Sequence, residues 1–186
     1  LTKDLDGDGK IDQYGLVWNF TEPFFYAPWL GGFGGWLITE DNQPDLNTIE
    51  NQNGFAFIKA LQNEHKIIPK ECDYEIANAM FLNGTAAMII NGDWSWGNYM
   101  GKIDFGIARL PKVSETGLWP TPIVSTKGYS INSNINGEKL EEVKNLLHYL
   151  TSPAVQLTFT RRTNSQPSSI AALSNPIVQK NDLLKV

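Results

Sequence analysis

Two short apolar runs, at residues 15–20 and 85–90, constrain the fold of this chain more than any other feature. Their β-branched, aromatic and aliphatic residues are typical of buried strands. Two segments between the runs, residues 49–66 and 73–84, instead repeat apolar residues at helical spacing. Strands that are separated by helices predict an α/β fold with a mostly parallel sheet flanked by helices.

Capping residues place the ends of several of these elements. Asp73 is expected to cap the N-terminus of a helix, and Gly84 stands where a glycine commonly ends one. Ser152 followed by Pro153 predicts another helix start. Between Gly84 and Ser152, alternating residues at 103–108 and a short run at 129–132 predict strands. An amphipathic helix follows, with an apolar stripe of Leu140, Val143, Leu147 and Leu150.

Composition and motif searches exclude several classes of function. The 186 residues carry a net charge of −5 without a basic cluster, which argues against a nucleic-acid surface. Apolar runs such as residues 86–90 are far too short to cross a bilayer. Cys72 has no second cysteine to form an intrachain disulfide. The sequence also lacks a serine hydrolase motif and a phosphate-binding glycine loop.

Three segments combine one carboxylate with several aromatic rings: residues 22–25, 73–74 and 91–96. Aromatic rings can cover the apolar faces of a pyranose, and a carboxylate accepts hydrogen bonds from its hydroxyl rim. This pattern therefore indicates sugar binding. Trp94 and Trp96 stand two residues apart on a short helix and cannot both face the same side, so one is expected at the surface and the other in the core.

The amino-acid sequences of four segments resemble those of the maltose/maltodextrin-binding protein family, the sugar receptors of bacterial ABC importers. The segments are residues 19–25, 34–36, 73–81 and 83–96. The resemblance implies a periplasmic-binding-protein-like (type II) lobe together with helices from a second lobe. It assigns residues 1–125 to the C-terminal lobe, and residues 126–186 to a hinge crossing and part of the N-terminal lobe.

The same resemblance implies the ligand-binding residues. Glu22 corresponds to a sugar-hydroxyl acceptor, and Phe24 falls where maltose binders carry a stacking tyrosine. Tyr74 corresponds to another sugar-contacting tyrosine, and Trp94, rather than Trp96, to the ring that lines the cleft. Trp36 is a weaker candidate in a glycine-rich loop, where tryptophans such as Trp36 and Trp29 can equally cover the loop's apolar underside. No catalytic residue is implied.

Acidic residues crowd the loop at residues 4–15. Asp4, Asp6 and Asp8 occupy positions one, three and five of an EF-hand-like loop. Gly9, the Lys10 carbonyl and Asp12 supply positions six, seven and nine. Position twelve departs from the pattern, because it is Gly15 rather than a bidentate glutamate. The loop predicts a structural Ca²⁺ site, and the alternative is an acidic turn without an ion.

The leading prediction is a non-catalytic oligosaccharide receptor of the maltose/maltodextrin type. By resemblance it would deliver its sugar to an ABC importer permease and lie in the periplasm or outside the cell, with a lipid anchor as one arrangement. A glycoside hydrolase or carbohydrate-binding module, or a calcium-stabilised adhesion fragment, are the alternatives. The chain is interpreted as a fragment in which the apolar stripe that begins at Leu140 is exposed, which predicts non-native association.

Overall fold

The two apolar runs pair in parallel in the computed structural model of this protein, which describes residues 1–181 and 184. Tyr14 pairs with Ala86 and Val17 with Ile89. Each pair is closed by backbone hydrogen bonds; the amide of Tyr14, for example, donates to Thr85 over 2.9 Å. The parallel direction of these pairs is as expected. Both pairs are isolated bridges, however, so a continuous parallel sheet is not shown.

Two other predicted strands are wrong within the described residues. Residues 103–108 and 129–132 form no strand. Alternating apolar residues specify which face of an extended segment is buried, but a strand also requires a neighbour that accepts its backbone hydrogen bonds. An isolated antiparallel bridge joins Ile38 to Pro44.

Helices form where the capping residues predict them. Helix α1 is Ala27–Gly32, α2 is Ile49–Asn63 and α3 is Tyr74–Leu82. The carboxylate of Asp73 accepts a hydrogen bond from the amide of Ile76 over 2.8 Å, which satisfies a backbone donor of the first turn of α3. The remaining helices are α4 (Trp96–Tyr99), α5 (Gly137–Leu150), α6 (Pro153–Thr163), α7 (Ile170–Leu173) and α8 (Pro176–Gln179).

By contacts the chain divides into two units. The first contains Leu1–Asn91 and Arg109–Val124, and the second contains Gly92–Ala108 and the described residues from Ser125 onward. The assignment of residues 1–125 to a C-terminal lobe and of 126–186 to a hinge and part of an N-terminal lobe stays a prediction. None of the described helices is long and apolar enough to span a membrane.

Each unit has its own buried residues. In the first, Trp18, Phe25 and Trp29 form an aromatic core with residues from α2, and Val17 and Cys72 belong to a second cluster. In the second, Tyr99 is buried and its ring meets Phe105 edge-on at 5.6 Å. Helix α5 has no fully buried residue. Its predicted exposed stripe is half-buried instead, since α5 packs beside α6.

Candidate functional site

The segment that leaves the first apolar run is held by hydrogen bonds at three points. The side-chain oxygen of Asn19 accepts from both the amide and the hydroxyl of Thr21, at 3.0 and 2.7 Å. The amide of Phe20 donates to the Cys72 carbonyl over 2.8 Å. The hydroxyl of Tyr26 donates to the Phe20 carbonyl over 3.0 Å. The chain therefore reaches Glu22 along a defined path.

Glu22 and Phe24 lie directly after this segment and differ in exposure. Glu22 is exposed, and its extended backbone precedes a short 3-10 turn, Pro23–Phe25, that its side chain does not cap. Phe24 is half-buried; one edge packs on the aromatic core, with its ring centroid 5.3 Å from that of Phe25. The pair therefore offers a charged acceptor beside a partly accessible aromatic surface.

Tyr74 is placed by the start of α3. It is the first residue of the helix, directly after the capping Asp73, and its ring is half-buried. The buried side chain of Asn78 donates to the Tyr74 carbonyl over 2.6 Å, and the Asn78 oxygen accepts from the Asn91 side chain over 3.3 Å. This amide relay links the beginning of α3 to the residue that follows the second apolar run.

The first unit thus gathers candidate groups at one edge. The two runs are parallel, so their carboxyl ends, Phe20 and Ile90, lie on the same side. The carbonyl of Cys72 accepts a hydrogen bond from the amide of Phe20. In open α/β folds, ligands bind outside the carboxyl ends of the strands. Glu22 and Phe24 follow Phe20 within a few residues, and Tyr74 follows Cys72.

Trp94 belongs to the second unit. It lies in a 3-10 turn, Asp93–Ser95, and 47% of its surface is exposed, whereas Trp96 at the start of α4 is half-buried. The N-cap of this turn is Gly92, and no side chain caps it. Asp93 instead occupies the first position of the turn itself.

Gly92 has a packing reason to be glycine. Its backbone is extended, with φ at −92°, so other residues could adopt it. A Cβ atom at this position would however collide with the six-membered ring of Trp94. The indole ring therefore lies directly over the Gly92 backbone. The hydroxyl of the buried Ser95 donates to the Gly92 carbonyl over 2.6 Å and fixes the turn beneath the ring.

The two tryptophans of the glycine-rich loop have different environments. Trp29 is buried in the aromatic core, 5.7 Å from the ring of Trp18, and the core interpretation holds for it. Trp36 is half-buried, and its carbonyl accepts a hydrogen bond from the buried side chain of Asn51 over 2.8 Å. Trp36 therefore keeps part of its ring accessible and stays a weaker candidate.

The acidic loop brings three carboxylates together. One oxygen from each of Asp4, Asp6 and Asp8 lies within 4.8 Å of the others, and all three residues are exposed. The amides of Gly9 and Gly7 donate to Asp4 at 2.9 and 2.7 Å. These bonds to the charged form hold the pKa of Asp4 below its usual value.

The donor set of this loop fits a hard cation such as Ca²⁺, which prefers oxygen ligands. Asp12 lies farther along the loop, where its carboxylate accepts from the Leu5 amide over 2.7 Å. The ammonium of Lys10 lies 3.2 Å from Asp8 and neutralises part of the charge. The side-chain amide of Gln13 donates to the Gly84 carbonyl over 3.3 Å.

An aromatic cavity of about 360 Å³ in the first unit is separate from these candidates. Trp29, Phe33 and Phe57 line it, together with residues 111–115, and none of the candidate site residues does. The exposed ring of Trp119 is not an open platform either. The Arg109 guanidinium lies 3.8 Å from its centroid, so a cation already covers the ring.

The sequence analysis missed the supporting residues of the site. Asn19 and Asn78 are buried amides that hold the segments carrying Glu22 and Tyr74. A local signal existed for Asn19, since asparagine commonly accepts a hydrogen bond from the amide two residues ahead. No such signal existed for Asn78, because its contact with Asn91 depends on the packing of α3 against the end of the second run.

The comparisons with known proteins agree on one family. The family model for bacterial extracellular solute-binding proteins matches residues 3–186. The maltodextrin-binding protein MdxE of Bacillus subtilis is 34% identical over 184 residues, which is 94% of this chain and 43% of that protein. The maltotriose-binding protein of Pyrococcus abyssi is 32% identical over 124 residues, which is 64% of this chain and 27% of that protein.

A solved structure extends the likeness to the fold. The maltose/maltodextrin-binding domain MalE from Bdellovibrio bacteriovorus, bound to maltotriose, superposes with a TM-score of 0.89 at 53% identity, over 99% of this chain and 49% of that one. The overall class, a periplasmic-binding-protein-like fold, is therefore confirmed. The chain spans less than half the length of the proteins it matches.

Proposed function

The chain belongs to the family of bacterial extracellular solute-binding proteins, and from that membership we propose that it forms part of a receptor for a maltose- or maltodextrin-type oligosaccharide. The observation that carries the proposal is the hydrogen bond from the Phe20 amide to the Cys72 carbonyl at 2.8 Å, which joins the segments that lead to Glu22, Phe24 and Tyr74. Trp94, and Trp36 to a lesser extent, are proposed as further platforms. The likeness to maltotriose- and maltodextrin-binding proteins supports this class of sugar.

The proposed chemistry is binding without catalysis. Aromatic rings stack on the C–H faces of the sugar and contribute about 1 kcal/mol each beyond the area they bury. Hydrogen bonds from sugar hydroxyls to the charged Glu22 contribute about 1.5–3 kcal/mol in total. Two or three rings together with such bonds suffice for an affinity of about micromolar.

A receptor of this kind is proposed to act outside the cytoplasm, in the periplasm or on a lipid anchor, as the solute-binding component of an ABC importer. Closure of two lobes over the sugar would present the loaded form to the permease. The family description, which is extracellular and solute-binding, supports this location and this partner. We propose that the bridges at Tyr14 and Val17 belong to a parallel sheet of the C-terminal lobe.

We further propose that the acidic loop binds a structural Ca²⁺ through Asp4, Asp6, Asp8, the Lys10 carbonyl and Asp12. The proximity of three carboxylates on an exposed turn supports it, because such a cluster is self-repelling without a cation. The ion would stiffen the loop that leads into Tyr14 and the first run. The proposed role of the ion is structural, and it takes no part in the binding of sugar.

Calorimetric titration with maltotriose tests the receptor proposal, in the intact protein that contains these 186 residues. We expect saturable binding with a Kd of about 1–10 μM, with cellobiose as the β-linked control that binds more weakly. Incubation with maltooligosaccharides should release no new reducing ends. Absence of binding to every α-glucan would overturn the proposal, and turnover would favour a glycoside hydrolase, which needs a second carboxylate opposite Glu22.

A further inference from the structure

We propose that Asn19 is a positioning residue for the sugar site, which it serves by fixing the direction in which Glu22 leaves the first apolar run. The proposal rests on the proposed function, since it concerns the same site. Asn19 itself is 2% exposed and does not reach solvent. Any effect on sugar binding must therefore pass through the segment that it holds.

The geometry that Asn19 imposes is a side-chain turn. Its Oδ1 accepts from the amide of Thr21 at 3.0 Å and from the Thr21 hydroxyl at 2.7 Å. Asparagine in this role replaces a backbone carbonyl and closes a tight turn two residues long. Glu22 is the next residue after the turn, so the orientation of its Cα–Cβ bond depends on these two bonds.

The orientation of the Asn19 amide is determined by its neighbours. The Thr21 amide can only donate, so the atom that faces it must be the oxygen. The Nδ2 atom then points into the interior, where it has no hydrogen-bond partner among the described residues. A buried donor without a partner destabilises the fold.

The two residues that follow Asn19 differ in whether they need it to be held in place. Phe20 is tied to Cys72 through its amide and to Tyr26 through its carbonyl, so it is fixed without help from Asn19. Thr21 is exposed and has no comparable backbone tie in the described residues apart from Asn19. Loss of the Asn19 acceptor would therefore release Thr21, the residue that leads into Glu22, but leave the core side of the segment in place. The Glu22 carbonyl would keep its bond from the Phe25 amide at 3.2 Å, so the change would be confined to the approach to Glu22.

A double-mutant cycle between Asn19 and Glu22 tests the proposal, with maltotriose as the probe and calorimetry as the measurement. Asn19→Ala should weaken binding about 5- to 30-fold when Glu22 is present, and by less than about 2-fold in a Glu22→Ala background. Asn19→Ser restores an acceptor for the Thr21 amide and should recover part of the loss. Asn53→Ala, on an exposed face of α2, is the matched control and should leave the Kd unchanged.

Two further measurements keep the test decisive. Amide hydrogen exchange at Thr21 should accelerate at least 10-fold in Asn19→Ala and be slowed again in Asn19→Ser. If Asn19→Ala does not fold, Thr21→Val removes only the hydroxyl bond on an exposed residue and should still weaken binding about 2- to 5-fold. Equal losses in both Glu22 backgrounds, or no loss, overturn the role of Asn19. Failure of the unaltered protein to bind any α-glucan instead overturns the proposed function, and the role of Asn19 with it.

Discussion

The amide nitrogen of Phe20 lies 2.8 Å from the carbonyl oxygen of Cys72. This hydrogen bond joins two segments that are about fifty residues apart in the chain, one leading to Glu22 and the other to Tyr74. Each candidate residue stands two positions after its bonded partner. A single backbone contact therefore joins the segment that leads to a carboxylate to the segment that leads to an aromatic ring, which the sequence alone presents as unrelated.

Replacement of Trp94 by alanine should weaken oligosaccharide binding by about 1–3 kcal/mol, or roughly 10- to 100-fold. The reason is the loss of the most exposed candidate ring, of which 47% of the surface is accessible. Calorimetry gives the Kd, and Trp94→Phe is the control that retains a smaller platform and loses less. An unchanged melting temperature is expected for both. An unaltered affinity would exclude Trp94 from the site.

Gly92→Ala should reproduce much of that loss without the removal of any aromatic atom. The added Cβ would occupy the position of the Trp94 ring, so the indole must rotate away. The extended backbone of Gly92 accepts alanine, and little destabilisation is expected. Tryptophan fluorescence should report the displaced ring and calorimetry the weaker binding. Gly97→Ala, where an added Cβ meets no atom, is the matched control.

Glu22→Gln should weaken binding less than Trp94→Ala, by about 1 kcal/mol. The amide oxygen still accepts a hydrogen bond from a sugar hydroxyl, but the charge that strengthens the bond is lost. Glu22 is exposed and caps no helix, so thermal stability should not change. The Kd for maltotriose is the measurement. A larger loss than that of Glu22→Ala would contradict the role of an acceptor.

Removal of Ca²⁺ by a chelator should lower the melting temperature if the acidic loop binds the ion. Asp6→Asn should abolish this response, because it removes one of three carboxylates that lie within 4.8 Å of one another. Asp41→Asn, on a separate exposed turn, is the control and should preserve it. A melting temperature that is indifferent to millimolar Ca²⁺ in the unaltered protein would exclude the site.

The same loop predicts a response to acid. The Gly9 and Gly7 amides favour the charged form of Asp4 and lower its pKa in the folded state. A lowered pKa in the folded state means that the bonds stabilise the loop at neutral pH, and that this stabilisation is lost as the pH falls through the carboxylate range. The protection of the Gly7 and Gly9 amides against exchange, relative to an unstructured peptide at the same pH, should therefore fall below about pH 4.

Cys72 should resist alkylation in the native protein. Burial raises the pKa of its thiol to about 11, with a further contribution from the negative charge of Asp73. At pH 8 the thiolate is scarce and only 3% of the residue is exposed, so a thiol reagent should react quickly only after unfolding in urea. Between about pH 9 and 11 the unfolded thiol ionises first, and the free energy of unfolding should fall.

The sequence by itself determined the local features of this protein. Asp73 predicts its helix start because the acceptor and the amide it caps are three residues apart, and the bond is present at 2.8 Å. The two apolar runs predict buried extended segments, and they pair in the parallel sense. The spacing of Trp94 and Trp96 predicts one ring at the surface and the other in the core; Trp94 is exposed as expected, whereas Trp96 is only half-buried.

Only the tertiary structure decided which groups meet. Trp29 and Trp36 belong to one glycine-rich stretch of sequence, yet Trp29 lies in α1 with its ring in the core, whereas Trp36 is partly accessible. The ring of Trp18 packs near Trp29, and Asn51 binds the Trp36 carbonyl. Residues 103–108 alternate like a strand but form none, because strand formation requires hydrogen-bond partners from a distant segment. Local patterns fix the conformations that a segment favours, whereas contacts between distant segments select among them.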